Sequence, residues 1–206
     1  MKKQILFLAL IVQFLTSCSN DEKGSSCQDS LPAITTTGAN TFGCCINGNL
    51  LIPRDGTGTF GGNDEGFITW GDPTGNNLYS EIDVKDFKSD KTGSILIHIQ
   101  GLHQIGIGEY IINESNGNNS IDGLSHTYLH CRIFNVETNS YQYYRSSLNS
   151  GMLKVNKYEF IPGVKKIVSG TFTCTVTNSS DSSDVIEIKD GRFDFDGATL
   201  PNAIFP

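Results

Sequence analysis

The sequence is poor in the features that assign a protein to a class directly. Cations are few, since 15 Lys and Arg stand against 22 Asp and Glu and give a formal net charge of −7 at pH 7. An acidic chain repels phosphate backbones, which argues against a nucleic-acid partner. No apolar run beyond the N-terminus approaches the roughly 20 residues that span a bilayer. The chain has no Gly-x-Ser-x-Gly elbow and no Cys-x-x-Cys spacing, so no catalytic, metal or cofactor motif is predicted.

The N-terminus is typical of a bacterial lipoprotein precursor. A basic Met1-Lys2-Lys3 precedes an almost wholly apolar stretch, residues 5–15, which has the length of a signal-peptide core. Leu15-Thr16-Ser17-Cys18 resembles a lipobox, with an aliphatic residue three positions before the cysteine and small residues between. We therefore expect residues 1–17 to be cleaved and Cys18 to carry lipid. Two or three acyl chains, palmitate among them, anchor a protein stably, which predicts attachment to the outer membrane.

Residues 18–38 are predicted to form a flexible tether. Residues 19–33 are polar and cannot bury enough apolar surface to fold, so they would span about 20 Å as a coil. The acidic pair Asp21-Glu22 resembles a signal for export to the cell surface. Asp29-Ser30-Leu31 resembles an O-glycosylation signal of an acid, a hydroxyl residue and an aliphatic residue, which makes Ser30 a candidate for modification.

The rest of the chain, residues 39–206, alternates apolar and polar residues as β-strands do. In residues 171–177, Phe172, Cys174 and Val176 face one way and four threonines face the other. Asn47-Gly48 predicts a tight hairpin, because both positions accept a positive φ. These patterns predict one all-β domain, an antiparallel sandwich or barrel of roughly eight to eleven strands.

Five cysteines remain once Cys18 is assigned to lipid, namely Cys27, Cys44, Cys45, Cys131 and Cys174. An oxidising envelope permits disulfides, and an odd number leaves at least one thiol unpaired or paired between chains. Alternation places Cys44, Cys131 and Cys174 inward and Cys45 outward. A Cys131–Cys174 disulfide and buried reduced cysteines that act as small apolar residues are both consistent with this pattern.

Polar side chains offer weak candidates for chemistry. His126 and His130 are four residues apart, which on a strand is about 13 Å and too far for one metal ion, so we expect solvated surface residues. Asp194 and Asp196 share a strand face, where a solvated edge is favoured over a catalytic carboxylate pair. The Gly-rich acidic stretch 54–66 is expected to be an ordinary loop rather than a calcium site.

Aromatic residues supply the one hint of a ligand. Tyr141, Tyr143 and Tyr144 cluster in sequence, and Trp70 lies near a predicted strand end. Exposed rings on a sheet stack against sugars, whereas rings that cover the core or pair across strands would show the same pattern. The second interpretation is favoured.

Several segments resemble a family of uncharacterised lipoproteins from the Bacteroidetes, over about residues 39–196. The segments are Thr41-Phe42-Gly43-Cys44, Ile46-Asn47-Gly48, Gly108-Glu109-Tyr110, Val168-Ser169-Gly170-Thr171-Phe172 and Ile188-Lys189-Asp190-Gly191-Arg192-Phe193-Asp194. The resemblance implies an envelope lipoprotein with a β-rich domain and supplies no activity. Cys45 departs from the family's pattern, which leaves its pairing open.

Together these features predict a lipid-anchored envelope protein that serves as a non-catalytic binding or structural module. The alternative is an envelope hydrolase that acts on glycans with carboxylates from several loops. A pocket that holds two carboxylates beside an aromatic ring would favour the hydrolase. A glycan and another envelope protein both stay open as partners.

Overall fold

The structure, a computed structural model, describes residues 26–58 and 64–206 and confirms an all-β domain. The predicted signal peptide and Cys18 lie outside these residues. The strands are β1 (Thr41–Ile46), β2 (Asn49–Leu51), β3 (Phe67–Gly71), β4 (Tyr79–Lys85), β5 (Ser94–Gln100), β6 (Gly108–Ile112), β7 (Tyr128–Asn135), β8 (Ser140–Ile161), β9 (Lys165–Asn178) and β10 (Val185–Asp196). A single turn of helix, α1 (Leu102–Ile105), follows β5. Over the described ranges, no helix is long and apolar enough to cross a membrane.

All of these strands belong to one antiparallel sheet. Nine lie in the order β2-β1-β10-β9-β8-β7-β5-β4-β3, and β6 pairs with the second half of β8. Asn47-Gly48 joins β1 to β2 with φ values of 47° and 79°, as the sequence predicts. Asp190-Gly191, where the sequence predicts a turn or a bulge, is a bulge inside β10.

The sheet curls so that its two ends meet around one apolar core. Phe67 of β3 packs against Phe42 of β1 and Phe195 of β10, with ring centroids 5.9 and 5.7 Å apart. Along β9, Phe172 is buried and Thr173 is exposed, which confirms the predicted alternation. Removing these rings from water is the main force that holds the curl closed.

The N-terminal segment lies against the outer face of the sheet, in contrast to the predicted free tether. Asp194 of β10 accepts four hydrogen bonds from this segment, at 2.6 to 3.2 Å. The donors are the hydroxyl of Thr35 and the backbone N–H groups of Thr37, Gly38 and Ala39. Polar contacts therefore hold residues 26–38 in place where apolar content alone is insufficient.

The cysteines form one disulfide among the described residues, between Cys27 and Cys45. Cys45 points away from the core, as predicted, and the N-terminal segment covers it. Cys44, Cys131 and Cys174 are buried free thiols, so the possible Cys131–Cys174 disulfide is not formed and the alternative of buried reduced cysteines holds. Burial raises the pKa of Cys174 to about 11, which keeps this thiol protonated.

Candidate functional site

The end of the curled sheet beside the β1–β2 turn forms an open pocket of about 480 Å³, here called the mouth pocket. This volume lies within the range of small-ligand sites, which occur often at the mouths of barrels. The floor consists of core side chains, namely Ile46, Ile133, Tyr144 and Ile186. Four strands contribute these residues, so the pocket exists only after the sheet has curled.

The rim of the mouth pocket carries amides whose orientation is set by neighbouring groups. The Asn135 side-chain oxygen accepts bonds from two backbone N–H groups of the β7–β8 turn, and the Gln142 side-chain amide lies 3.0 Å from the Tyr144 hydroxyl oxygen. In the described part of the chain, the Asn135 NH2 group has no partner, so it is an available donor. The Asn49 NH2 donates instead to the Asn47 carbonyl, which leaves the Asn49 Oδ1 as an acceptor.

The charges at the mouth pocket balance. Lys91 and Glu137 stand on the rim with opposite signs. In the floor, the Tyr144 hydroxyl donates to the Asp184 carboxylate at 2.7 Å. Burial and this carboxylate raise the pKa of Tyr144 to about 12, so the phenol stays neutral at pH 7. The pocket therefore favours polar ligands without net charge.

The tyrosine cluster found in the sequence divides between two faces of β8. Tyr144 lies in the floor of the mouth pocket, whereas Tyr141 and Tyr143 are 41% and 58% exposed on the outer face. Phe134 of the rim meets the Tyr141 ring edge-on, with centroids 5.3 Å apart. The Arg132 guanidinium lies 4.3 Å from the centre of the same ring. An exposed aromatic surface thus continues from the rim.

Trp70 lies at the opposite end of the sheet, beside a buried ionisable pair. Its indole N–H donates to the Ser120 hydroxyl at 3.2 Å. Glu81 and His98 occupy facing positions on β4 and β5, with Oε1 and Nδ1 2.8 Å apart, and both side chains are buried. The pair carries no sequence motif, so only its position on the polar faces of two strands could have marked it.

His126 and His130 are half-buried, and the prediction of solvated histidines was wrong. His126 Nε2 lies 2.8 Å from the Glu114 carbonyl oxygen, and His130 Nδ1 lies 3.2 Å from the Ser115 hydroxyl. A segment that returns across the sheet covers these rings, which strand periodicity does not reveal. Residues 26–58 and 64–206 contain no cluster of three His, Cys, Asp or Glu that could hold a metal ion.

Asp194 and Asp196 hold backbone rather than forming a solvated edge. Asp194 is 1% exposed, and Asp196 accepts bonds from the N–H groups of Lys166 and Ala198. Burial alone would raise the pKa of Asp194, but hydrogen bonds, of which that from the Ser169 hydroxyl is the strongest, outweigh burial and lower the pKa. Both carboxylates thus serve the fold.

A second concave region runs along the outer face of β8, β9 and β10. This groove of about 330 Å³ is lined by Glu109, Asp190 and Phe172, among others. Glu109 lies 3.6 Å from the Lys154 ammonium, and Asp190 accepts a bond from the Gln28 amide at 2.6 Å. The Phe172 ring is 2% exposed and belongs to the core. The groove therefore lacks the exposed ring that a sugar-cleaving site would use.

The remaining predicted positions lie away from the mouth pocket. Ser30 is exposed at the end of a short 3₁₀ turn. Cys18 lies outside the described residues, as do residues 59–63 of the predicted loop. Within that loop, the Asp55 carboxylate accepts a bond from the Gly66 N–H at 2.7 Å, so this carboxylate has a structural role.

The chain was similar to none of the known proteins with which it was compared. No protein-family model matches it, and neither the curated proteins nor the solved structures give a match. The resemblance to Bacteroidetes lipoproteins therefore stays a prediction, and the geometry of the mouth pocket is the basis for a functional conclusion.

Proposed function

We propose that the protein is a lipid-anchored, non-catalytic module of the bacterial outer membrane that binds a ligand in the mouth pocket. One observation carries the binding part: a concave apolar floor is ringed by oriented amides with unused donors and acceptors. Such floors bury the apolar part of a ligand, and a few polar groups orient it. The anchoring part rests on the lipobox that ends at Cys18.

A neutral, hydroxyl-rich ligand such as a glycan fits the rim best. A hydroxyl both donates and accepts hydrogen bonds, which matches the donor of Asn135 and the acceptor of Asn49. Phe134 and Tyr141 offer apolar ring surface beside these amides, and sugars stack on such surfaces.

Binding rather than hydrolysis is supported by the carboxylates. Glycoside hydrolysis with acid and base catalysis uses two carboxyl groups across the scissile bond. The lining of the mouth pocket contains one, on Glu137. Asp194 and Asp196, the pair that the sequence offers, hold backbone at another place.

A glycan array followed by calorimetry on the detergent-purified protein tests this function. Gln142→Ala removes a rim amide and Phe134→Ala removes a ring, so each should weaken binding of a captured glycan by about fivefold or more, since one hydrogen bond or one ring contact contributes about 1 kcal/mol. Thr173→Ala, on the exposed face of β9, is the control and should bind like wild type. No glycan on the array, or equal affinities in all variants, would contradict the proposal.

We also propose that the protein reaches the cell surface and carries sugar at Ser30. The support is the acidic pair Asp21-Glu22 close to the lipidated Cys18, and the exposure of Ser30. Protease shaving of intact cells should remove a surface domain, and survival until lysis would place the domain in the periplasm. Intact masses of wild type and Ser30→Ala that differ only by the lost oxygen would exclude sugar at this residue.

A further inference from the structure

Residues 113–125, here called the cover loop, cross the outer face of the sheet at the end opposite the mouth pocket. Several hydrogen bonds dock them, among them one from the Ser115 backbone N–H to the Ser146 carbonyl at 3.0 Å. The Ser120 N–H donates to the Glu81 carboxylate at 2.7 Å, and the Trp70 indole donates to the Ser120 hydroxyl at 3.2 Å. The Tyr128 hydroxyl donates to the Asn118 carbonyl at 2.9 Å. The cover loop therefore seals this part of the sheet from water.

A row of stacked rings and a buried carboxylate lie beneath the cover loop. The His98 ring is sandwiched between Tyr79 and Tyr128, with centroids 5.1 and 4.5 Å away. Glu81 Oε2 is buried without a hydrogen-bond partner among the described residues. Ser120, which docks on Glu81, has a positive φ of 54°. A buried unpartnered oxygen and a strained contact residue both cost stability, and such features concentrate at functional segments.

Three histidines make the contacts that hold or underlie the cover loop. His126 meets the Glu114 carbonyl, His130 meets the Ser115 hydroxyl, and His98 pairs with the carboxylate that receives the Ser120 N–H. Histidine is the side chain whose charge changes most readily near neutral pH. Protonation of His130, whose ring contacts Ser115, is therefore coupled to docking of the loop.

We infer that the cover loop is a pH-controlled latch, docked at neutral pH and released in mild acid, and that its release uncovers the row of stacked rings. The sheet itself stays folded during release, because the core lies on its other face. The opened surface presents aromatic rings beside the Glu81 carboxylate.

The groups that face His130 determine the sign of the response. Burial has the largest effect and lowers the pKa of His130, because it disfavours the charged ring. The Glu81 carboxylate on β4 raises this pKa, whereas Arg145 on β8 and His98 on β5 lower it. The net effect lowers the pKa of His130 to about 4. The uncharged groups that contact the ring are Tyr128 of β7 and Ser115 of the loop. Release returns the ring to water, where its pKa is about 6.5. Below about pH 6.5, protonation of His130 therefore shifts the equilibrium between the docked and the released loop toward release. The equilibrium constant changes by at most about tenfold per pH unit for this one proton.

Trp70 is the single tryptophan of the chain, so its fluorescence reports the docking of the cover loop. Emission and acrylamide quenching of the whole protein in detergent should be followed from pH 7.5 to pH 4.5, with far-ultraviolet circular dichroism in parallel. We expect a reversible red shift and stronger quenching in acid with an unchanged β spectrum. Constant emission, or loss of the β spectrum at the same pH, would overturn the proposal.

Two variants separate the latch from a general acid effect. His130→Gln stays neutral and should move the emission midpoint to lower pH. His103→Gln is the matched control, because the His103 ring contacts Tyr158 and Phe160 instead of the cover loop. The emission of this variant should change with pH as in the wild type. An unchanged midpoint in His130→Gln would refute the latch.

Hydrogen exchange on the wild type tests the latch without any substitution. After correction for the intrinsic rate, residues 113–125 should be less protected at pH 5 than at pH 7, while β9 keeps its protection. Equal protection of the cover loop at both values would overturn the inference.

Discussion

Arg54 and Asp86 join the two ends of the sheet. The Arg54 guanidinium donates from Nε and Nη2 to both carboxylate oxygens of Asp86, at 2.6 and 2.8 Å. Arg54 follows β2, the first strand in the spatial order of the sheet. Asp86 follows β4, which lies next to β3, the last strand in that order. The hydrogen bond with Asp86 raises the pKa of Arg54, so the guanidinium stays charged. Among the described residues, the end strands β2 and β3 are not paired with each other, so this charge pair and an isolated backbone bridge between Arg54 and Asp86 close the curl.

We expect Asp86→Ala to lower the free energy of unfolding by about 3 kcal/mol. The Asp86 side chain is fully buried, and its removal leaves the Arg54 guanidinium without this partner. Because Arg54 is 31% exposed, the expected loss of stability is at the lower limit of the range for broken buried ion pairs. Glu109→Ala, in the exposed pair with Lys154, is the control and should cause no measurable loss. Urea unfolding followed by circular dichroism measures both, and equal losses would contradict closure by this pair.

Acid should weaken the hold of Asp194 on the N-terminal segment. Because hydrogen bonds lower its pKa in the folded state, their contribution is fully present above the ordinary value of about 3.9 and is lost as pH falls through the lower folded value. The free energy of unfolding of Asp194→Asn should be lower than that of the wild type at pH 7. Below about pH 4 it should fall less steeply with decreasing pH than in the wild type. Asp190→Asn, at an outer-face carboxylate that accepts a bond from the Gln28 side chain, is the control. Unfolding measured from pH 7 to pH 2.5 tests this, and a wild-type slope in Asp194→Asn would disprove it.

Phe172→Ala should destabilise the domain by roughly 3–5 kcal/mol. The ring is 2% exposed and packs against Phe42 and Phe193, with centroids 5.7 and 6.5 Å away. Thr173→Ala, one residue along and on the opposite face, should cost under about 0.5 kcal/mol. Comparable losses in chemical denaturation would mean that the assignment of faces in β9 is wrong.

Peptide mapping without reductant should recover Cys27 linked to Cys45. Labelling with iodoacetamide in denaturant should modify Cys44, Cys131 and Cys174, which are buried thiols in the folded domain. Replacing both bonded cysteines by serine should cost about 3 kcal/mol, because the 18-residue separation gives a loop whose closure restricts the unfolded chain. A peptide that links Cys131 to Cys174 would contradict the structure.

Cys18→Ala should abolish acylation and release the protein from the membrane. The thiol is the atom to which lipid would be joined, so no other residue can substitute. Metabolic labelling with radioactive palmitate, followed by membrane fractionation, measures both effects. Persistent labelling of the variant would rule out Cys18 as the anchor.

Local patterns in the sequence were sufficient for the strands and their faces. The alternation around Phe172 identifies which side chains enter the core, because a strand has a period of two whatever surrounds it. Asn47-Gly48 identifies the first hairpin for an equally local reason, since both residues tolerate a positive φ. The same argument placed Cys45 outward and Cys131 inward.

The tertiary structure decided which polar positions are buried and which distant groups meet. Glu81, His98 and Tyr128 lie on the polar faces of their strands, yet a loop from elsewhere in the chain covers them. The bond from Cys27 to Cys45 depends on a Cα separation of 5.9 Å that only the folded N-terminal segment creates. The mouth pocket likewise unites residues from β1, β7, β8 and β10, and its shape follows from the curl of the sheet. Periodicity specifies the direction of a side chain, whereas burial depends on what the rest of the chain places over it.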